Sequence, residues 1–280
     1  MHFVNGTYDS GNAQLAYRDS AAGVPVVFLH PTPLDDYYWL PLAERLEGIR
    51  AILPDLRGHG SSELGADLPV GDFARVPDAP VLTMAQFASD LLALLDHLQI
   101  SQAIFAGCSI GGYVLLELWR RAPQRMRALA FICSKPQPDA EANLAKRADT
   151  IARARAGEIE ELLDAMAQVS VGATAQAQQP AIVSELRSRM TLSAEALVAV
   201  QAGLAARPDS LPTVPTIRVP VFALAGGEDK AVSPAEMQAL SAASGANELH
   251  LLADAGHFAA YEQPDAVAAL LNPWLRQFAS

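Results

Sequence analysis

The stretch IFAGCSIGGYVLLELW, residues 104–119, decides the fold predicted for this chain. An apolar run of strand type passes through a G-x-S-x-G motif and continues into a segment whose apolar positions fit a helix. A serine between such a strand and helix needs small neighbours on both sides, and Gly107, Gly111 and Gly112 provide them. The motif also arises by chance in a chain with 18 glycines. Its meaning therefore depends on the rest of the sequence.

The composition is that of a globular chain with an acidic balance. Of its 280 residues, 51% are hydrophobic and 18% charged, which is enough for a large core. The formal charge of −11 argues against nucleic acid or an anionic membrane surface as a partner. No apolar segment reaches the length of a membrane span, and the first residues lack the pattern of a signal peptide. We therefore expect a cytoplasmic protein.

Cysteine and histidine usage gives no sign of a metal centre. Cys108 and Cys133 each end a predicted strand, and small buried hydrophobes in a reducing compartment are the expected role for both. The six histidines are scattered along the chain. We predict neither a metal nor another cofactor.

Strand and helix patterns alternate over most of the chain. This alternation predicts an α/β protein with a mostly parallel eight-stranded sheet flanked by helices. Helices are expected at 39–46 and 83–98, after Ser109, and from about residues 234 and 264. The predicted strands cover residues 2–8, 13–18, 24–29, 50–54, 103–108, 126–133, 219–225 and 248–252.

Two segments interrupt the alternation. Strand patterns vanish between residues 136 and 215, where Ala-, Glu- and Arg-rich helical stretches predict an inserted helical cap. The core domain would then consist of residues 1–135 and 216–280. Residues 63–82 are rich in Pro, Gly and Asp and predict a long surface loop. That loop could gate a pocket, pack on a partner or do neither.

Three residues that follow predicted strands form a candidate catalytic set. Ser109 ends one strand, Asp229 follows a later one in a Gly-x-x-Asp turn, and His257 lies in the loop after the last. Open α/β sheets place their sites at this carboxyl edge. A serine hydroxyl needs a base, usually a histidine held by a carboxylate. We assign these roles to Ser109, His257 and Asp229. Asp139 is the competing carboxylate.

The chain resembles the α/β-hydrolase-fold serine hydrolases, which include esterases, enol-lactonases and cofactor-free haloperoxidases. The resemblance covers nearly the whole length, and the order Ser, Asp, His is the one found in that fold. It implies catalysis of carboxylic ester or lactone hydrolysis without a cofactor. The motifs that carry it are the 107–112 turn, His30 and Thr32-Pro33 with Trp39, Asp55-x-Arg57-Gly58-His59-Gly60-Ser61, the Asp229 turn and Ala255-Gly256-His257-Phe258.

Two backbone amides are candidates for an oxyanion hole. Ile110 follows the nucleophile at the start of a helix, where the dipole favours negative charge. The second donor should come from the loop after residue 29. Pro31 and Pro33 have no N–H, so Thr32 is preferred over Leu34. Pro31 stands where relatives often carry glycine.

Roles are also predicted for nearby side chains. Tyr38 and Trp39 are assigned as substrate contacts. His30 and His59 are expected to hold loops beneath the site, and Asp55 with Arg57 to form a buried or half-buried pair.

Other functions remain compatible with the same residues. They are a small-molecule receptor that keeps the triad, an acyltransferase, a hydrolase of carbon–carbon bonds and a perhydrolase. The expected partner is a small-molecule ester or lactone, and the oligomeric state is left open.

Overall fold

One large sheet and a small two-stranded ribbon make up the β structure. The computed structural model describes residues 1–73, 76–246 and 248–279. The strands found there are β1 (Val4–Ser10), β2 (Ala13–Asp19), β3 (Val24–Leu29), β4 (Ile49–Pro54), β5 (Val70–Phe73), β6 (Val76–Pro80), β7 (Ala103–Cys108), β8 (Met126–Ile132), β9 (Val221–Gly226) and β10 (Leu249–Leu252).

The large sheet has eight strands in the order β1-β2-β4-β3-β7-β8-β9-β10. β2 pairs antiparallel with both β1 and β4, and every pairing from β4 to β10 is parallel. This confirms the predicted mostly parallel sheet. Because β3, β7, β8, β9 and β10 run side by side in one direction, the loops that follow them meet at one edge.

Helices cover both faces of the sheet. No helix in the described part of the chain is long and apolar enough to cross a membrane. The α-helices are α1 (Leu40–Ala43), α2 (Met84–His97), α3 (Ile110–Arg121), α4 (Glu141–Arg155), α5 (Ile159–Ser170), α6 (Ala173–Gln178), α7 (Ile182–Ser188), α8 (Ala194–Ala205), α9 (Pro234–Ser244), α10 (Ala259–Glu262) and α11 (Pro264–Leu275).

The alternation of side chains along each strand builds two cores. In β3, Val27 belongs to the core that includes α2 and α3, whereas Phe28 belongs to the opposite core with α1 and α11. Phe105 and Ile104 of β7 divide in the same way. Both residues of each pair are buried, as a strand covered on two faces requires.

The segment 63–82 differs from its prediction as a structureless loop. It contains the β5–β6 ribbon, and Ala79 of β6 is fully buried. The guanidinium of Arg155, at the end of α4, donates to the carbonyls of Pro77 and Asp78. These strands are short and depend on distant partners, which explains their weak local signal. Ala74 and Arg75 of the predicted loop lie outside the described residues.

The chain between β8 and β9 contains helices α4 to α8 and no strand, and all of it is described. Helix α8 lies against the chain that precedes α2. The Leu82 N–H donates to Ala199 O at 3.0 Å, and a Cβ on Gly203 would collide with the Leu82 carbonyl oxygen. The helical character agrees with the predicted insertion, while its division from the core at residues 136 and 215 stays a prediction.

Candidate active site

Ser109 occupies a strained turn between β7 and α3. Its φ of 53° and ψ of −115° lie where non-glycine residues are rare. A Cβ on Gly107 would lie 2.5 Å from the Gly111 carbonyl carbon, and one on Gly111 would lie 2.5 Å from Leu29 O. Glycine is therefore required on both sides of the serine. The close strand-to-helix approach is the one that the sequence predicts.

His257 and Asp229 are in contact with each other. Asp229 Oδ2 lies 2.8 Å from His257 Nδ1, and both side chains are buried. The other carboxylate oxygen of Asp229 accepts the N–H groups of Ala231 and Val232, at 2.7 and 3.0 Å. A carboxylate accepts only, so in the neutral ring Nδ1 carries the proton and Nε2 has a free lone pair. The predicted pairing of these two residues is present.

The two residues shift each other's pKa in opposite directions. Burial lowers the pKa of His257, but the charge and hydrogen bond of Asp229 outweigh it, and the net pKa lies above the usual 6.5. Burial raises the pKa of Asp229, but His257 and the two backbone N–H groups outweigh it, and its net pKa lies below the usual 3.8. The pair therefore favours an ionised aspartate near neutral pH.

Glu262 fixes the loop that carries His257. Its carboxylate accepts the N–H groups of Gly172, Gly256 and Phe258 at 3.1, 2.8 and 3.1 Å, and it is 3% exposed. The His257 N–H donates to Ser170 O at 2.8 Å. The loop is thus held both by α10 and by the helical insertion. Sequence reasoning missed Glu262, whose only local signal is one acidic residue after an apolar run.

Ser109 and His257 line the same cavity, which has a volume of about 350 Å³. Its walls come from the carboxyl edge of the sheet, from helices α4, α5 and α8 and from the loop after β3. The lining residues are Thr32, Pro33, Ser109, Tyr113, Lys135, Asp139, Asn143, Lys146, Arg147, Thr150, Met166, Val169, Ser170, Gln201, Leu204, Lys230, Ala231 and His257.

Thr32 lies at this cavity in a loop with a cis peptide bond between Thr32 and Pro33. Within the described residues, no acceptor is found for the backbone N–H of Thr32 or of Ile110. Ile110 is the first residue of α3. Both amides are therefore free to donate to a ligand, although their role as an oxyanion hole stays a prediction.

His30 and His59 hold this loop from beneath, as predicted. His59 Nδ1–H donates to Arg57 O, so Nε2 accepts the Thr32 hydroxyl at 2.9 Å. His30 Nδ1–H donates to Pro31 O, and its Nε2 accepts the Leu56 N–H at 2.9 Å. Burial lowers the pKa of His30 to about 4 and that of His59 to about 3. Both rings are neutral, which these hydrogen bonds require.

Tyr38 and Trp39, the predicted substrate contacts, lie in the core instead. They are 1% and 0% exposed, and neither lines the cavity of Ser109. The Tyr38 hydroxyl donates to Cys108 Sγ at 3.3 Å, and its ring packs edge-on against Trp39. Both residues lie in a short 3₁₀ helix, Asp36–Trp39, directly before α1, and burial of their large aromatic surfaces stabilises the core. Cys108 is fully buried, and burial raises its pKa, as expected for a packing residue.

Among the described residues, the structure places arginine partners beside Asp139 but not beside Asp55. Asp139 binds the guanidinium groups of Arg147 and Arg207, so it is not a partner of His257. The predicted pair of Arg57 with Asp55 is wrong. The Arg57 guanidinium pairs instead with Asp90, with Nη2 and Oδ1 2.6 Å apart. Asp55 instead accepts the N–H groups of Asp36 and Ser61, each at 2.8 Å.

Sequence reasoning missed four cations of the cavity, which are Lys135, Lys146, Arg147 and Lys230. Lys230 follows Asp229 directly and Lys135 follows β8, so position after a strand was an available signal for both. In the residues that the structure describes, no group of three or more His, Cys, Asp and Glu side chains could hold a metal.

A strained serine at the carboxyl edge of a parallel sheet, facing a cavity with a carboxylate-bound histidine, defines the α/β-hydrolase class of sites. The sequence model of the alpha/beta hydrolase family matches residues 26–270. The chain therefore belongs to the alpha/beta hydrolase family.

The chain is similar to a synthase, an esterase and an enol-lactonase. The chain is 30% identical over 261 residues to 2-succinyl-6-hydroxy-2,4-cyclohexadiene-1-carboxylate synthase of Klebsiella pneumoniae, covering 91% of this chain and 96% of that protein. A thermophilic esterase from Thermogutta terrifontis is 27% identical, with a TM-score of 0.87 and full coverage of both chains. The enol-lactonase of Burkholderia xenovorans LB400 is 25% identical, with a TM-score of 0.84 over 97% of this chain and 100% of that one.

Proposed function

We propose that the protein hydrolyses a carboxylic ester or lactone through an acyl-enzyme on Ser109. His257 Nε2 takes the proton of the Ser109 hydroxyl as Oγ bonds to the substrate carbonyl carbon. The Thr32 and Ile110 N–H groups hold the resulting oxyanion. As the carbon–oxygen bond to the alcohol breaks, His257 returns the proton to the departing oxygen. Water then attacks the acyl group by the same steps and releases the acid and free Ser109.

The contact between Asp229 Oδ2 and His257 Nδ1 carries this proposal. It fixes the tautomer in which Nε2 can act as a base. Ser109, on its strained turn, lines the same cavity as that histidine. The similarity to an esterase and to an enol-lactonase over nearly the whole chain supports the choice of carboxylic substrates.

Covalent labelling tests the nucleophile. A fluorophosphonate should label the wild type at Ser109 and fail to label Ser109→Ala. A panel of p-nitrophenyl esters of increasing acyl length should be hydrolysed by the wild type only. Lack of labelling in the wild type would contradict the proposal. Labelling with no turnover of any ester or lactone would favour the alternative that the protein is a small-molecule receptor.

A synthase is the second candidate, because the relative from Klebsiella pneumoniae is 30% identical over 96% of its own length. A synthase in which His257 acts as a base alone would form no acyl-enzyme. Intact-mass spectrometry during turnover separates the two candidates, since hydrolysis through Ser109 adds an acyl mass to the protein. Product analysis with added alcohols, thiols or hydrogen peroxide distinguishes acyl transfer and perhydrolysis.

A further inference from the structure

Lysine is rare in this chain, and its distribution is not random. The sequence contains three lysines, whereas the other 17 basic residues are arginines. All three lysines, Lys135, Lys146 and Lys230, line the cavity of Ser109. They come from three separate elements, which are the loop after β8, helix α4 and the loop after β9.

Two of the four cations in the cavity already form ion pairs with carboxylates of the protein. Lys135 Nζ donates to Glu236 at 2.7 Å. Arg147 binds Asp139 and also donates to Gln201 Oε1 at 2.7 Å.

Lys146 and Lys230 are different. Both are exposed, and neither forms an ion pair in the part of the chain that the structure describes. The charge of Lys230 acts on Glu228, whose carboxylate accepts hydrogen bonds from Thr174. Their charges are therefore available to a ligand in the cavity.

The positive charge of these two lysines contrasts with the negative net charge of the chain. A protein of charge −11 repels an anion unless cations are placed where the anion binds. We propose that the substrate carries an anionic group, a carboxylate or a phosphate, in addition to its ester or lactone carbonyl, and that Lys146 and Lys230 bind this anionic group. This inference rests on the ester or lactone hydrolysis proposed above. The reacting carbonyl lies at Ser109 and the anionic group lies toward α4 and the loop after β9.

A matched pair of esters tests the charge of the substrate. Monoethyl glutarate carries a carboxylate, and ethyl 4-carbamoylbutanoate carries a neutral amide in its place. With the wild type, kcat/KM should be about tenfold higher for the anionic ester, mainly through KM, as expected for one or two partly exposed charge contacts. In the double variant Lys146→Met/Lys230→Met this ratio should fall to near one.

Arg218→Gln is the matched control, because Arg218 is an exposed cation that precedes β9, at the opposite edge of the sheet. It should keep the wild-type ratio. A wild-type ratio near one, or a ratio unchanged by the double lysine variant, would overturn the inference while leaving ester hydrolysis intact.

A binding measurement removes the dependence on turnover. Calorimetry on Ser109→Ala should detect glutarate or inorganic phosphate, and the better ligand identifies the anionic group as carboxylate or phosphate. Adding the two lysine substitutions should weaken that ligand about tenfold. If this binding is seen but no ester or lactone is hydrolysed, the anion site stands and the hydrolase proposal fails. If neither anion binds in a lysine-dependent way, the anion site is disproved.

Discussion

His257 Nδ1 lies 2.8 Å from Asp229 Oδ2, although the two residues are 28 positions apart in the sequence. The contact raises the pKa of His257 above 6.5 in spite of burial, which acts in the opposite direction. Since a protonated imidazole cannot accept the Ser109 proton, the rate of hydrolysis should depend on this pKa.

The first prediction concerns pH. For ester hydrolysis, kcat/KM should rise with pH through an apparent pKa above 6.5 and level off on the alkaline side. In Asp229→Asn, burial of His257 remains while the carboxylate is lost, so the apparent pKa should fall. The rate should also drop about 1,000- to 10,000-fold, because the amide favours the wrong tautomer.

Glu228→Gln is the control for that variant. The substitution removes the negative charge of a residue next to Asp229. The carboxylate of Glu228 accepts hydrogen bonds from Thr174 and does not bind His257. The pH profile of this control should match the wild type. An Asp229→Asn profile with the wild-type pKa would refute the assigned role of the aspartate.

The second prediction concerns the turn at the serine. In Gly111→Ala, the new Cβ would lie 2.5 Å from Leu29 O, at the end of β3. The turn must shift, so we expect a loss of about 1–3 kcal/mol in the free energy of unfolding and a large loss of ester hydrolysis. Urea unfolding and an ester assay on the folded variant measure the two effects.

Gly11→Ala provides the comparison. Gly11 has a φ of 63°, and among the described residues no heavy atom beyond Gly11 and its two chain neighbours lies within 4 Å of the position that an alanine Cβ would take. Only backbone strain therefore opposes alanine there. Its stability should fall by about 1–2 kcal/mol with activity retained. Equal activity in both variants would show that the close approach at Gly111 does not hold the serine.

The third prediction concerns a buried ion pair. Arg57 and Asp90 have side chains that are 1% and 5% exposed, with Arg57 Nη2 and Asp90 Oδ1 2.6 Å apart. Removing either partner leaves an uncompensated buried charge and should cost about 3–5 kcal/mol of unfolding free energy. A double-mutant cycle on Arg57→Met and Asp90→Asn should show strong coupling.

A second cycle with Arg57→Met and Asp55→Asn distinguishes the observed pair from the one expected from sequence. Coupling there should be much weaker, because Asp55 accepts backbone N–H groups instead. Stronger coupling of Arg57 to Asp55 than to Asp90 would contradict the structure.

The fourth prediction concerns stability and pH. Burial first, and the charge of Asp36 second, raise the pKa of Asp55 from 3.8 to about 7. Between these values the folded chain holds a proton that the unfolded chain has lost, so the free energy of unfolding falls as pH rises. The slope from this one group is at most about 1.4 kcal/mol per pH unit.

Urea unfolding of the wild type and of Asp55→Asn, compared between pH 4 and 8, isolates this contribution. The stability of the wild type relative to the variant should decline up to about pH 7 and then level off. In Asp36→Asn the decline should end at lower pH, because one cause of the raised pKa is gone. A constant difference between wild type and Asp55→Asn would exclude the proposed titration.

Local sequence pattern determined the eight strands of the large sheet and the order of the candidate site residues along the chain, but not the β5–β6 ribbon. The predicted bounds of β3 and β7 match those observed, because apolar runs and glycines act over a few residues. The positions of Ser109, Asp229 and His257 after their strands could also be inferred, since parallel strands bring their carboxyl ends to one edge.

Only the tertiary structure decided which side chains meet. Arg57 pairs with Asp90 of α2, Tyr38 is buried against Cys108, and three lysines from separate elements line one cavity. The two contacts join residues that are far apart in sequence, and the lysines come from three separate elements. Side-chain pairing between residues so far apart in sequence depends on how helices and loops pack on the sheet. A local sequence pattern does not determine that packing.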